Sequence, residues 1–233
     1  MYKILFDIIY KLYNKTNKHL SGRKLKFNLK FYLSEIFTIL KLGIPWRTLK
    51  SDAHYTTIYK FYKKLVKQNI FKTAFDISVK IYYKTNEKIN EIKNLFIDST
   101  MIKNINGCEL LGRNHYDRNR LGNKITVLVD EKGIPVSIFI SKANVYDSKI
   151  TEQAINNASI KIIHKRIIGD KGYISNKTKN KLKNKRISLI YPYRKNQQLK
   201  NSTFQKNLLK KRHIVENFFS WLKRYRRFLS KNI

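Results

Sequence analysis

The sequence predicts an α/β protein in which a mixed sheet is flanked by helices and preceded by a small all-α domain. Three observations lead there. Residues 30–68 twice show apolar side chains at helical spacing. From residue 94 the texture changes to short runs rich in Ile, Val, Leu and Phe, bounded by turn residues. Those runs alternate with helical stretches in the order three strands, helix, strand, helix, strand, helix, the alternation of a sheet covered by helices. The expected division is residues 1–90 for the helical domain and 91–233 for the sheet domain.

Lys30 to Leu42 reads as a helix with Leu33, Ile36, Phe37 and Leu40 on one side and Gly43 as its stop. Pro45-Trp46-Arg47 turns the chain. His54 to Gln68 reads as a second helix, with Ile58, Phe61, Tyr62 and Leu65 inward and Lys60, Lys63, Lys64 and Lys67 mostly outward. Two helices about a Gly-Ile-Pro turn have the look of a helix-turn-helix, though the spacing is loose; a plain helical bundle with a solvated basic face fits equally well. Asn94–Asp98 is a short apolar strand. Lys124–Asp130 and Ile134–Ser141 flank Glu131-Lys132-Gly133 and form a hairpin. Ser148–Ala158 is helical, Arg166–Asp170 a strand, Ser175–Lys185 helical and Ser188–Tyr193 a strand. Ser202 and Gln205 make a capping box for a helix running to about Leu229.

Charge narrows the possible partners. Fifty Lys+Arg against 15 Asp+Glu give +35 over 233 residues, a chain that repels itself unless it meets a polyanion. Nucleic acid is the first choice and an anionic membrane surface the second. A hydrophobic content of 42% is too high for a disordered basic tail. Cys108 is the only cysteine, which excludes an intrachain disulfide and a structural zinc site. No apolar stretch approaches the roughly 20 residues that span a bilayer. The opening Met1-Tyr2-Lys3-Ile4-Leu5-Phe6 carries Asp7 and no small-residue cleavage site, so it does not read as a signal peptide and the expected setting is intracellular.

Within this basic chain a few carboxylates stand out. After Glu152 there are 22 Lys+Arg but only two acids, Asp170 and Glu216. Asp170 closes the apolar run from Arg166, and Asp98 closes the run Leu95-Phe96-Ile97. Isolated acids at strand ends and on one helix, inside a polycation, suggest Mg²⁺ held against a phosphodiester. On the last helix Arg212 lies four positions before Glu216 and Lys223 seven after it, offsets that return to nearly the same face. Ile214, Val215, Phe218 and Leu222 form its apolar stripe. Taken alone, Arg212 and Glu216 read as an i,i+4 pair worth roughly 0.2–0.5 kcal/mol.

Asp98-Ser99-Thr100, Gly169-Asp170-Lys171-Gly172-Tyr173 and Arg212-His213-Ile214-Val215-Glu216 leading to Lys223 together resemble the DDE transposases of bacterial insertion sequences, more narrowly the insertion-sequence-five group. The turn at residues 43–47, the strand Lys124–Asp130 and Arg226-Arg227 also fit, so the resemblance runs from about Gly22 to Phe228. It implies an RNase H-like fold carrying the three acids, following the helical, helix-turn-helix-like domain expected to bind DNA. It implies strand cleavage at the ends of a mobile element, followed by transfer of the freed 3′-hydroxyl into target DNA. Asp98, Asp170 and Glu216 would be catalytic metal ligands for Mg²⁺ or Mn²⁺, two ions in all. Arg212, Lys223, Lys124, Lys171, Arg226, Arg227 and Arg47 would contact DNA, and the working form would be a homodimer on paired ends. The setting would be a bacterial cytoplasm or nucleoid, or a nucleus or viral factory for another host.

Two departures matter. Leu209 stands where many relatives carry a Tyr, and the chain stops at Ile233 where relatives continue. The second leads to an expectation of impaired activity, and leaves open a remnant that only binds DNA. Another RNase H-like nuclease is a further alternative. Asp130 and Asp147 read as turn and cap residues. His115 and His213 read as polar neighbours of phosphate and Trp46 and Trp221 as core.

Overall fold

The structure is a computed structural model that describes residues 2–18, 25–85, 92–103, 109–114, 117–193 and 200–225. It divides into two compact units, one built on Met1–Lys84 and the other on Thr85–Arg224.

The first unit is helical: α1 (Tyr2–Thr16), α2 (Leu29–Leu42), α3 (Tyr55–Lys67) and α4 (Ile70–Thr85). Local chemistry sets the ends of α2 and α3. The Asn28 side chain accepts from the Phe31 N–H at 2.8 Å and starts α2. Gly43, in the left-handed region at φ 67°, ends it by donating its N–H to the Ile39 carbonyl. His54 Nδ1 accepts from the Thr56 N–H at the start of α3. Leu33, Ile36, Ile58, Phe61 and Leu65 bury as their spacing requires, joined by Ile9, Tyr32 and Ile70 from the rest of the unit. Each such side chain contributes roughly 1.5–3 kcal/mol on burial. Trp46 packs its ring 5.0 Å from Tyr59 and 5.2 Å from Tyr62. Residues 43–54 between α2 and α3 hold a short 3-10 turn at Trp46–Thr48, and this connection is longer than the three- or four-residue turn of a helix-turn-helix. No helix among the described residues is long and apolar enough to cross a membrane.

The second unit is a six-stranded mixed sheet with helices: β1 (Asn94–Lys103), β2 (Gly112–Asn114), β3 (Arg120–Asp130), β4 (Pro135–Lys142), α5 (Asp147–Asn156), β5 (Arg166–Ile168), α6 (Asn176–Asn184), β6 (Ser188–Ile190), α7 (Thr203–Lys210) and α8 (His213–Leu222). β1 pairs antiparallel with β3, and β3 antiparallel with β4. β5 lies parallel to β1 on its other side, and β6 parallel to β5. Without the small β2, the order β4-β3-β1-β5-β6 is that of an RNase H-like sheet. Leu95, Phe96, Ile97, Val127, Leu128, Val129, Ile167 and Ile168 bury at its centre. The hairpin turn is fixed by Asp130, whose buried carboxylate accepts the N–H groups of Lys132 and Ile134, each at 2.9 Å. Asp130 is therefore a turn residue, as its position suggests.

Two elements differ from expectation. β1 does not stop at Asp98; its ladder with β3 continues to Lys103 opposite Gly122. The continuation is half-buried Ser, Thr, Met and Ile, so it lacks the continuous apolar signal of the first half. The single long helix expected from Ser202 is two. The capping box forms, but α7 ends at Lys210. The N–H groups of Lys211 and Arg212 turn back to the Leu208 and Leu209 carbonyls, three residues away, which breaks the four-residue ladder. Lys210-Lys211-Arg212-His213 offers no apolar side chain to hold a straight helix against the sheet.

Candidate active site

The centre of the sheet positions the first two acids. Phe96 of β1 stands opposite Ile168 of β5, on parallel neighbours. Asp98 and Asp170 each lie two residues further on, so both carboxylates emerge at one level of the sheet. Asp98 is 21% exposed, and its Oδ1 accepts the Ser99 N–H at 2.9 Å. Asp170 caps a 3-10 turn at Lys171–Tyr173, with its Oδ1 accepting the Gly172 N–H at 2.7 Å. Glu216 sits exposed in the first turn of α8, where the helix dipole favours an anion. Val215, Phe218 and Phe219 bury to hold that helix on β1 and β3.

The electrostatics follow from this placement. Burial pushes the Asp98 carboxyl up to about 6; the Ser99 N–H and the Arg212 guanidinium pull it back, while Asp170 and Glu216 push it up. The three acids therefore feel one another, with Asp98 as the strained member. Among the described residues, no three His, Cys, Asp or Glu side chains are grouped closely enough to hold one metal ion. The donor chemistry nevertheless suits a hard divalent cation: carboxylates only, one of them largely buried, its charge disfavoured first by that burial and then by Asp170 and Glu216. Positive charge is already present there, since Arg212 Nη2 stands 3.8 Å from Asp98 Oδ2. Arg212 Nε is buried and has no hydrogen-bond partner among the described residues.

That contact differs from the pairing that Arg212 and Glu216 would make if taken alone. Arg212 does not pair with Glu216 along the helix; the break before α8 makes Arg212 its N-cap and turns the side chain to Asp98. Lys124 is also not an open cation. Its Nζ donates to the Val145 carbonyl at 2.7 Å and to Asp147 Oδ1 at 3.1 Å, and its side chain is only 13% exposed. Asp147 thus holds a lysine instead of serving only as a helix start. Lys171 and Lys223 are exposed, beside Asp170 and at the end of α8. Arg47 is exposed on the 3-10 turn of the helical unit. Arg226, Arg227 and His115 lie outside the described residues. His213 is exposed, with Nδ1 3.1 Å from the Lys210 carbonyl. Trp46 belongs to the helical core, but Trp221 is 50% exposed and not a core residue, because α8 turns Val215, Phe218 and Phe219 inward instead.

Sequence reasoning named Tyr173 within a motif without giving it a task. The structure shows it 1% exposed, with its hydroxyl 2.8 Å from Ser99 Oγ, which is itself 2.8 Å from Thr126 Oγ1. Burial, then the charge of Asp147, push that hydroxyl well above its usual range, so it keeps its proton. The flanking glycines are required by close approach. A Cβ at Gly169 would come within 2.9 Å of the Tyr173 ring, and one at Gly172 within 3.0 Å of Asp170 Oδ1 and 3.1 Å of Asp147 Oδ2. Two glycines bracketing an acid before an aromatic were the readable signal. On this side of β1 a cleft of about 530 Å³ is lined by Ser99, Met101, Lys124, Tyr146 and Asp147, among others.

No curated protein matches the chain. A solved piggyBac transposase, in a synaptic complex with hairpin DNA, is 14% identical with a TM-score of 0.42 over 84% of this chain and 50% of that one. The chain thus spans about half the length of that protein. The family model for the transposase DDE domain matches residues 86–229, more than half of the chain, a span within which Asp98, Asp170 and Glu216 lie. Members of that family depend on divalent metal. The chain belongs to the transposase DDE domain family.

Proposed function

We propose that this protein is a transposase that binds the ends of a mobile DNA element, cleaves a strand there and joins the freed 3′-hydroxyl to target DNA. The observation that carries the reading is Asp98: a largely buried carboxylate, raised to about 6, on the central strand of an RNase H-like sheet and within the field of Asp170 and Glu216. Asp98, Asp170 and Glu216 would hold the divalent cation, Mg²⁺ or Mn²⁺, as a pair of ions. When bound, such ions stabilise the attacking and leaving oxygens of an in-line displacement at phosphorus. Arg212 would exchange its contact with Asp98 for a phosphate, a bidentate partner better matched to a guanidinium. Lys171 and Lys223 would add charge to the same strand.

The helical unit would grip duplex DNA through Arg47 and the exposed Lys60, Lys63 and Lys67 of α3. The excess of basic residues supports strong, salt-dependent binding. Two ends brought together would make the working form a homodimer. Such a protein acts wherever the cellular DNA lies. The test is a strand-transfer assay: a short duplex ending in the element's terminal sequence, a target plasmid and Mg²⁺. The expected product is the duplex joined through its 3′ end to the plasmid.

One observation favours a second reading, a DNA-binding protein without strand cleavage. The three acids are not grouped as a ready metal site, and Arg212 stands on one of them. Retained duplex binding with no joined product, in folded protein and with either metal, would decide for it.

A further inference from the structure

We infer that Tyr173 is a positioning residue which, through Ser99, sets where the Asp98 carboxylate stands relative to Asp170. The inference rests on the reading of those two acids as holders of a divalent cation.

Five contacts carry it. The Tyr173 ring lies against Gly169, immediately before Asp170, in space that a side chain at Gly169 would fill. Asp170 in turn accepts the Gly172 N–H and so fixes the 3-10 turn that presents Tyr173. The Tyr173 hydroxyl reaches across to β1 and meets Ser99 Oγ at 2.8 Å, in a short chain that ends at Thr126 Oγ1 of β3. Ser99 donates its backbone N–H to Asp98 Oδ1 at 2.9 Å. The segment bearing Asp170 is thereby tied to the residue next to Asp98 and to the strand beyond it. β5 is only three residues long, so the strand ladder itself pairs with β1 no further than Phe96 and Ile168. Beyond that pair, the tyrosine link replaces the missing ladder at the level of the acids. A part-buried chain of hydrogen bonds anchored on the buried Tyr173 and Thr126 is suited to holding one geometry.

The hydroxyl and the ring separate experimentally. Tyr173→Phe keeps the ring that packs on Gly169 and removes only the link. Ser99→Ala removes the same link from the other side and keeps the backbone N–H to Asp98. Mn²⁺ titration by calorimetry and by the electron-spin signal of free Mn²⁺, together with thermal melting, reads the outcome on wild type, both variants, their double variant and Asp98→Ala. Groups that hold a metal ligand in place typically govern metal affinity by about 10- to 100-fold. Each single variant is expected to weaken Mn²⁺ binding by about tenfold, and the double variant to be no worse than the singles, because both cut one chain. A lower melting temperature with unchanged Mn²⁺ affinity in both variants would overturn the inference and leave Tyr173 a packing residue. Undiminished Mn²⁺ binding by Asp98→Ala would overturn the parent reading and this inference with it. Loss in Asp98→Ala with no change in either hydroxyl variant would sink the inference alone.

Discussion

The centre of the sheet and the last helix hold their acids in different ways. On the sheet, Asp98 takes the Ser99 N–H, Asp170 takes the Gly172 N–H, and Tyr173 ties the two segments together. On α8, Glu216 is exposed and placed only by the packing of Val215, Phe218 and Phe219 one turn or less away. The sheet half is thus fixed by hydrogen bonds and carries an electrostatic cost, since Asp98 is buried near two like charges. The helix half is solvated. Under the proposed function, a site divided in this way would keep its costly group on the hydrogen-bonded sheet and its accessible group where DNA would meet it. Functional sites commonly give up stability for such placement.

The largest expected effect tests whether the halves act together. Under the proposed function, Asp98→Ala, Asp170→Ala and Glu216→Ala should each lower nicking by on the order of 10²–10³-fold or more, with duplex binding by gel shift unchanged. Undiminished nicking in any one removes that residue from the site. Metal titration then sharpens the difference between them. Asp98→Ala and Asp170→Ala should abolish measurable Mn²⁺ binding, whereas Glu216→Ala should retain it about tenfold weaker. Equal loss in all three would mean that the helix acid is as integral to the metal site as the sheet acids.

A smaller effect concerns stability. The Asp98 carboxyl is raised from 3.8 to about 6 on folding, so the folded chain binds more protons than the unfolded one between those values. Stability from this group therefore falls as pH rises from about 4 to about 6 and stays lowered above that. A shift of about two pKa units corresponds to a ceiling of about 3 kcal/mol. Without metal, Asp98→Asn should stabilise the protein by about 1–3 kcal/mol at pH 7.5, less whatever the lost contact with Arg212 contributed. Near pH 4 the gain should vanish. Urea denaturation of both proteins at the two pH values checks it, and a destabilised Asp98→Asn at pH 7.5 contradicts the burial argument. The smallest effect lies in the other unit. Arg47→Ala should reduce the slope of log affinity against log salt by about 0.9, the contribution of one phosphate contact. An unchanged slope takes Arg47 off the DNA.

Much of this layout can be read from the chain, and what cannot has a physical reason. Asn94–Asp98, the hairpin about Glu131-Lys132-Gly133, and the helices of α2, α3, α5 and α6 announce themselves through apolar spacing and caps such as Ser175. α1 and α4 announce themselves less, because neither has an acidic residue in its first turn to mark a start. β2 is three residues long and pairs only with the outer part of β3. Positions of the acids along the chain were legible, but their partners were not. Arg212 sits one helical turn before Glu216 in sequence and contacts Asp98 114 residues earlier, because a tightened turn, invisible in helical periodicity, redirects it. Lys124 reads as one more cation until Asp147 and the Val145 carbonyl are brought to it by the chain beyond β4. Long-range pairings of this kind depend on the whole sheet order and leave no local trace.

The most direct test of the central claim, that sheet and helix acids form one metal-dependent site, is nicking of supercoiled DNA carrying the element's own ends. Wild type and Glu216→Ala are compared with Mn²⁺, with Mg²⁺ and with EDTA. The account predicts nicking by wild type with either metal, none in EDTA, and loss in the variant despite intact DNA binding. Nicking by Glu216→Ala at the wild-type rate, or nicking that persists in EDTA, would contradict it.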